Sequence, residues 1–229
     1  MLLKIQSAKE LVPRFFENTA RTYDKIVNLT TFGKDKYWKK EIIKKIPNCN
    51  SVLDLACGTG ILTFQIAEKL PNAKIIGVDI TEGYLEIARK KLKPYQQISF
   101  LCQDVEKLSL DQKFDCITSS YIPKYCKAET LIKMCLNHLN PGGKIVLHDF
   151  TYPKNKIVRS LWNLYFVVLH MVGYLLPYWK DVFVDLPKLI RATRWLDDYE
   201  DAMKKYSLQV AKQFLTWNTS AILIGIKKI

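Results

Sequence analysis

The sequence predicts a doubly wound α/β fold: a mostly parallel seven-stranded sheet, helices on both faces and an antiparallel C-terminal hairpin. Three observations carry that prediction. Between residues 50 and 150, short apolar β-type runs alternate with helix-period segments, the pattern of repeated βαβ units. The first run, within "VLDLACGTGILTFQIA", passes through a glycine turn directly into a helix pattern. Near the C-terminus, "LQVAKQFLTWNTSAILIGIKK" holds two β-rich runs around Asn218, too close for a parallel crossover and therefore a hairpin.

Taken in order, the first ~50 residues read as helices, with apolar residues at three- and four-residue spacing over 7–16 and 34–46 around the polar "NLTTFGK". Pro47 and Asn48 close that region. "SVLDLA" then reads as a strand, 61–70 as a helix, "AKIIGVDI" as a strand and 82–92 as a helix. The strands "ISFLCQ" and "FDCITSS" follow, then a helix over 128–139 that leads through "NPGG" into the strand "KIVLHDF". This divides one domain, 1–229, into a helical N-terminal region (1–48), an alternating α/β core (50–150), a helical insertion (151–206) and the hairpin (207–229).

The insertion holds the most apolar segment, 157–179, "IVRSLWNLYFVVLHMVGYLLPYW". Its uncharged part approaches the ~20 residues that span a bilayer, but Asn163, His170, Gly173 and Pro177 argue against a span. Its apolar residues cover nearly the whole circumference, so it is either buried in the fold or lies against something greasy.

With 229 residues, 48% of them hydrophobic, the chain can bury a sizeable core. Lys and Arg outnumber Asp and Glu 35 to 22, a formal charge of +13. That balance suits an anionic partner, or simply lysine-rich solubility, since the lysines are scattered along helix faces. No basic block interleaved with aromatics marks a nucleic-acid stripe. The six cysteines form no Cys-x-x-Cys pair, and the three histidines do not cluster with them, which argues against a metal site. Free thiols in apolar runs fit a reduced, cytoplasmic setting, and Lys4, Lys9 and Glu10 interrupt the N-terminus before a signal peptide's apolar stretch accumulates.

A turn between the first strand and helix of such a sheet aims backbone N–H groups and the positive helix end at a ligand, and glycine lets the backbone come close. Here Asp54 is followed by Gly58 and Gly60, with no third glycine of the dinucleotide fingerprint, and Asp54 would repel a pyrophosphate. A carboxylate there suits a ligand carrying positive charge. Asp79 ends the second strand, where a carboxylate can accept from both ribose hydroxyls. Asp104 follows the third strand, and "FDCITSSY" ends the fourth in small polar residues.

This order resembles the Rossmann-like class I S-adenosylmethionine-dependent methyltransferases. The resemblance implies S-adenosyl-L-methionine as cofactor, its methionine part held by Asp54, Ala56, Gly58 and Gly60, with Ser119 nearby. It further implies the ribose on Asp79 beside Ile80, the adenine edge on Asp104 and Val105, and Tyr23 closing over the cofactor.

The whole length is similar to the ubiquinone/menaquinone biosynthesis C-methyltransferases, through "FFENTARTYDKIVNLTTFGKDKYWKK", "NPGGKIVLHDFTYP", "LLPYW" and "LPKLIRATRWL". One departure is plain. Where that family carries Phe-Gly-Leu-Arg-Asn after the fourth strand, this chain has Tyr121-Ile122-Pro123-Lys124-Tyr125, so contacts to a quinone ring are not carried over intact. By resemblance Tyr121, Lys124 and Tyr125 face the acceptor, which the family makes a demethylated prenyl quinol; another apolar small molecule stays open.

Carbon methylation needs in-line approach and an electron-rich ring carbon, hence positioning and a general base for the ring hydroxyl. Asp149 and His148, ending the fifth strand, are the first candidates for that base, although a carboxylate there can cap a turn and the histidine can be a core residue. Cys57 reads as a packing residue. A prenylated acceptor lives in the bilayer, so the 157–179 segment beside Lys154, Lys156, Arg159 and Lys180 predicts peripheral contact with the inner face of a membrane, unless that helix only roofs the pocket. Rival readings are an RNA methyltransferase, which would need a base-handling motif absent here, a non-catalytic cofactor-binding protein, and an oxidoreductase, which lacks its glycine.

Overall fold

The computed structural model describes residues 8–229. Lys4 and Ser7, where the signal-peptide argument and the first predicted helix begin, lie outside the described residues. Seven strands form one sheet: β1 (Ser51–Leu55), β2 (Lys74–Asp79), β3 (Ile98–Cys102), β4 (Phe114–Ser120), β5 (Leu139–Phe150), β6 (Gln209–Leu215) and β7 (Ser220–Ile226). Their spatial order is β3-β2-β1-β4-β5-β7-β6. The first five run parallel, and β7 enters antiparallel between β5 and β6. The order reverses at β1 and β4, the switch point beyond whose carboxyl ends such sheets bind ligands.

Strand periodicity explains the layering, because successive side chains point to opposite faces. Leu53, Ile117, Ile145 and Leu223 pack on one face, under α6 (Ala128–Asn137) and α9 (Trp195–Lys205). Their chain neighbours Val52, Cys116, Val146 and Ile222 pack on the other, under α3 (Lys34–Lys45) and α4 (Ile61–Lys69). Between β2 and β3 runs α5 (Glu82–Lys90). β5 starts earlier than "KIVLHDF" suggests: Leu139 pairs with Phe114 across a register shift, so the Pro-Gly-Gly segment is a distorted part of the strand.

A third apolar cluster lies above the carboxyl edge. It joins α1 (Leu11–Phe16) and α2 (Tyr23–Thr30) to α7 (Lys156–Gly173) and α8 (Lys180–Ala192) through Phe15, Ile26, Leu169, Trp179 and Phe183. Arg14 fastens the same layers by pairing with Asp181 and Asp185. α7 buries Trp162, Leu169 and Gly173 and exposes its other side, including Ile157, Leu161, Leu164, Val168 and Met171. Of the two settings its composition allowed, only one face is buried in the fold. Among the described residues, no helix is long and apolar enough to cross a membrane.

Candidate active site

The bend after β1 is built from left-handed backbone: Ala56, Gly58 and Gly60 have φ of 52°, 56° and 82°. At Gly60 a β-carbon would stand 2.6 Å from the Phe64 ring, so glycine is required for space as well as for φ. The Cys57 N–H donates to the Val78 carbonyl at 3.0 Å and ties the bend to β2. Burial pushes the Cys57 thiol well up, which suits packing and not nucleophilic attack.

Three carboxylates stand at or just beyond the ends of adjacent strands: Asp54 in β1, Asp79 closing β2 and Asp104 after β3. Asp54 is buried under α4 and accepts from the Thr63 hydroxyl at 2.6 Å. Burial outweighs that bond and the pull of Lys39, so its carboxyl is pushed up to about 7. Asp79 accepts from the backbone N–H of Gly58 at 2.9 Å and of Thr81 at 2.8 Å, joining the glycine bend to the β2 end. Burial still leaves its carboxyl above the usual range. Asp104 is more open. Burial opposes its ionisation, yet Lys9, 2.7 Å away, holds it below the usual range. Lys9 also pairs with Glu106 at 2.7 Å, so the N-terminal segment is clamped beside the β3 end.

Two cavities open over this edge. The first, about 340 Å³, is walled by Ala56, Gly58, Asp79, Ile80, Asp104 and Val105, with Tyr84 and the N-terminal segment around Lys9 and Phe16. The second, about 360 Å³, lies between α2, α7 and α8 and is lined almost wholly by apolar and aromatic side chains. They share Phe16, Tyr23, Tyr121 and Tyr125. A small third cavity, about 40 Å³, lies at the glycine bend and brings Asp54, Lys39, Tyr23 and Tyr121 to one wall. The carboxylates and the strained bend offer chemistry that fits S-adenosyl-L-methionine, with Asp79, Asp104 and Val105 on the first cavity and Asp54 on the small one at the bend.

Three of the predicted site residues sit elsewhere. Ser119 is fully buried and donates to the Leu55 carbonyl at 2.8 Å. It pairs in register with Leu55 and Leu147 and shares their covered face, while the next residue, Ser120, reaches the cavities. His148 and Asp149 line none of the three cavities. Burial, then Lys39 and Lys124, keep the His148 imidazole neutral, and its ring packs on Trp38 and Tyr121. Asp149 accepts from the Lys124 side chain at 2.8 Å and from the N–H groups of Lys124 and Phe150.

The three acceptor-side candidates converge on the second cavity. Lys124 is buried against the Tyr125 ring at 4.5 Å. Tyr121 stacks on Phe150 at 4.9 Å and donates to Asp35 at 2.7 Å. Asp35, Lys39, Lys9, Phe16, Tyr84 and Ser120 were not among the residues the sequence singled out for the site. For Ser120 the alternation along β4 was the available signal; for the rest, contact across the fold decides.

The chain matches the family model described as the ubiE/COQ5 methyltransferase family over residues 3–227. It is 31% identical over 208 residues to the demethylmenaquinone methyltransferase of Lactococcus lactis, covering 85% of this chain and 78% of that protein. Identity is again 31% over 208 residues with the ubiquinone/menaquinone biosynthesis C-methyltransferase UbiE of Rickettsia typhi, covering 85% and 83%. In fold it is similar to the magnesium protoporphyrin IX methyltransferase of Synechocystis with bound SAH, at TM-score 0.63 and 17% identity over 97% of this chain and all of that one. With a match that runs nearly end to end, the chain belongs to the ubiE/COQ5 methyltransferase family.

Proposed function

We propose that this protein transfers the methyl group of S-adenosyl-L-methionine to a ring carbon of a demethylated prenyl quinol. The observation that carries this is the junction: a cavity bordered by the carboxylates Asp79 and Asp104 meets an aromatic one through Phe16, Tyr23, Tyr121 and Tyr125. A flat ring enclosed by those side chains is desolvated and held facing the cofactor cavity, and such positioning supplies most of what methyl transfer needs. The cofactor brings an electrophilic methyl group on a positively charged sulfur. The curated relatives described above carry names of the same reaction, at the same scale of chain.

About 360 Å³ is near the lower end of small-molecule sites, which run from roughly 300 Å³ upward, so a prenyl tail must leave the cavity. Leu161, Phe32 and Trp217 line the cavity and are also exposed, at 59%, 80% and 77%. Around that mouth stands the outer face of α7, flanked by exposed Lys154, Lys156 and Lys180. This supports peripheral docking on anionic lipid with the tail still in the bilayer.

The test is to incubate the protein with labelled S-adenosyl-L-methionine and a total lipid extract, then identify labelled products by mass spectrometry. Label in the quinone fraction is expected. Label confined to RNA, or to no product, overturns the reading.

A further inference from the structure

We propose that Tyr121, backed by Asp35, takes the proton of the acceptor's ring hydroxyl, making Tyr121 a catalytic residue and Asp35 the residue that positions it. The inference rests on the quinol-type reading above.

Tyr121 is held in a costly backbone conformation, with φ of 75°, directly beyond β4. Its N–H donates to the His148 carbonyl at 2.8 Å, and its ring is fixed by stacking on Phe150. The hydroxyl donates to Asp35 Oδ1 at 2.7 Å. Asp35 is buried, pairs with the equally buried Lys39 on the same helix, and lines none of the three cavities, whereas Tyr121 walls all of them. Tyr121 therefore links Asp35 to the two larger cavities, whereas its other partner, Lys39, reaches only the small one at the glycine bend.

A phenol whose proton is committed to a carboxylate turns its oxygen lone pairs to other donors. The donor expected at the junction is the acceptor's ring hydroxyl. As that hydroxyl gives its proton to Tyr121 Oη, the tyrosine's own proton moves to Asp35, and Lys39 balances the group. Tyr121 stays neutral through the relay, and the ammonium groups of Lys39 and Lys124, 5.1 Å and 5.5 Å from its ring centre, place positive charge near the acceptor oxygen as that oxygen becomes negative. The ring carbon then supplies the electron pair of the new C–C bond, while the pair of the broken C–S bond stays on sulfur. The methylated ring loses the proton from that carbon to water and recovers the relayed proton on oxygen, so one proton is released overall. The family pattern has phenylalanine at this position, so the hydroxyl is a feature of this chain.

The test combines turnover with a binding contrast, using the full chain saturated with S-adenosylhomocysteine for the latter. Tyr121→Phe keeps the ring and is expected to lower kcat on demethylmenaquinol about 100-fold with little change in KM for the cofactor. Asp35→Asn should act in the same direction, and Asp35→Glu should restore part of the rate. In calorimetry, Tyr121→Phe and Asp35→Asn should each weaken 1-naphthol roughly tenfold and leave naphthalene unchanged, the first by removing the accepting hydroxyl and the second by releasing the proton that aims its lone pairs. Equal weakening of both probes would mean a wall residue only, and no change in either would remove the relay; both outcomes overturn the proposal. A wild-type enzyme inert toward quinols would sink the functional reading alone, because the naphthol contrast needs no turnover.

Discussion

Lys124 Nζ lies 2.8 Å from Asp149 Oδ1, and neither side chain reaches solvent. Three aromatic rings, Tyr121, Tyr125 and Phe150, surround the ammonium group. The pair joins the turn after β4 to the end of β5, and Lys124 lines the second cavity, so the pair supports that wall.

Breaking the pair strands a buried charge. Lys124→Met should destabilise the protein by about 3 kcal/mol, and the double variant Lys124→Met with Asp149→Leu should recover part of that loss. Urea denaturation followed by tryptophan fluorescence measures both. A single variant as stable as the wild type would contradict the account of the pair.

Asp54 sets a pH dependence. Its carboxyl titrates near 7 in the folded protein and near 3.8 when unfolded, so its share of ligand-free stability is lost as pH rises from about 4 to about 7. Cofactor affinity should run the other way, because a cationic ligand needs the ionised form. Calorimetric affinity for S-adenosyl-L-methionine should rise as pH passes through about 7. Asp54→Asn should flatten that rise.

Gly60→Ala combines a strained φ with a clash against Phe64. The left-handed backbone alone costs about 1–2 kcal/mol for a residue with a β-carbon. Loss of stability in that range or above, together with weaker cofactor binding, is the expected outcome in thermal melts and calorimetry.

Lys9 bridges the N-terminal segment to Asp104 and Glu106 across 95 and 97 residues of chain. Because the lysine is partly exposed, Lys9→Ala should leave overall stability almost unchanged. Cofactor dissociation should instead speed up several-fold, since the clamp over the first cavity is released. Stopped-flow displacement of the bound cofactor reads this directly.

Leu164 and Met171 lie on the exposed side of α7, and neither lines a described cavity. Leu164→Glu with Met171→Glu should abolish co-sedimentation with anionic vesicles while cofactor affinity stays at the wild-type value. Retained vesicle binding would place the membrane face elsewhere.

The local patterns were enough for the layers. Alternation along "SVLDL" and "FDCITSS" sends neighbouring residues to opposite faces, and that period is a property of the extended backbone alone. The glycine bend was equally legible, because left-handed φ and close approach leave few other residues fit for Gly58 and Gly60. The hairpin around Asn218 followed from chain length.

What the fold alone decided are contacts between distant segments. The Tyr121 hydroxyl meets Asp35 across 86 residues, and Arg14 meets Asp185 across 171. No periodicity encodes such pairs, since they depend on how the helical cap and the α7–α8 layer settle on the sheet edge. Burial has the same origin. His148 and Asp149 were chemically suitable bases in the sequence, but register and packing enclose both, while Tyr23 and Tyr121 wall all three cavities. The sequence alone determined the sheet, the cofactor bend and its carboxylates through local backbone preference; three-dimensional packing chose which polar groups face the ligand, because desolvation and proximity exist only once the chain has folded.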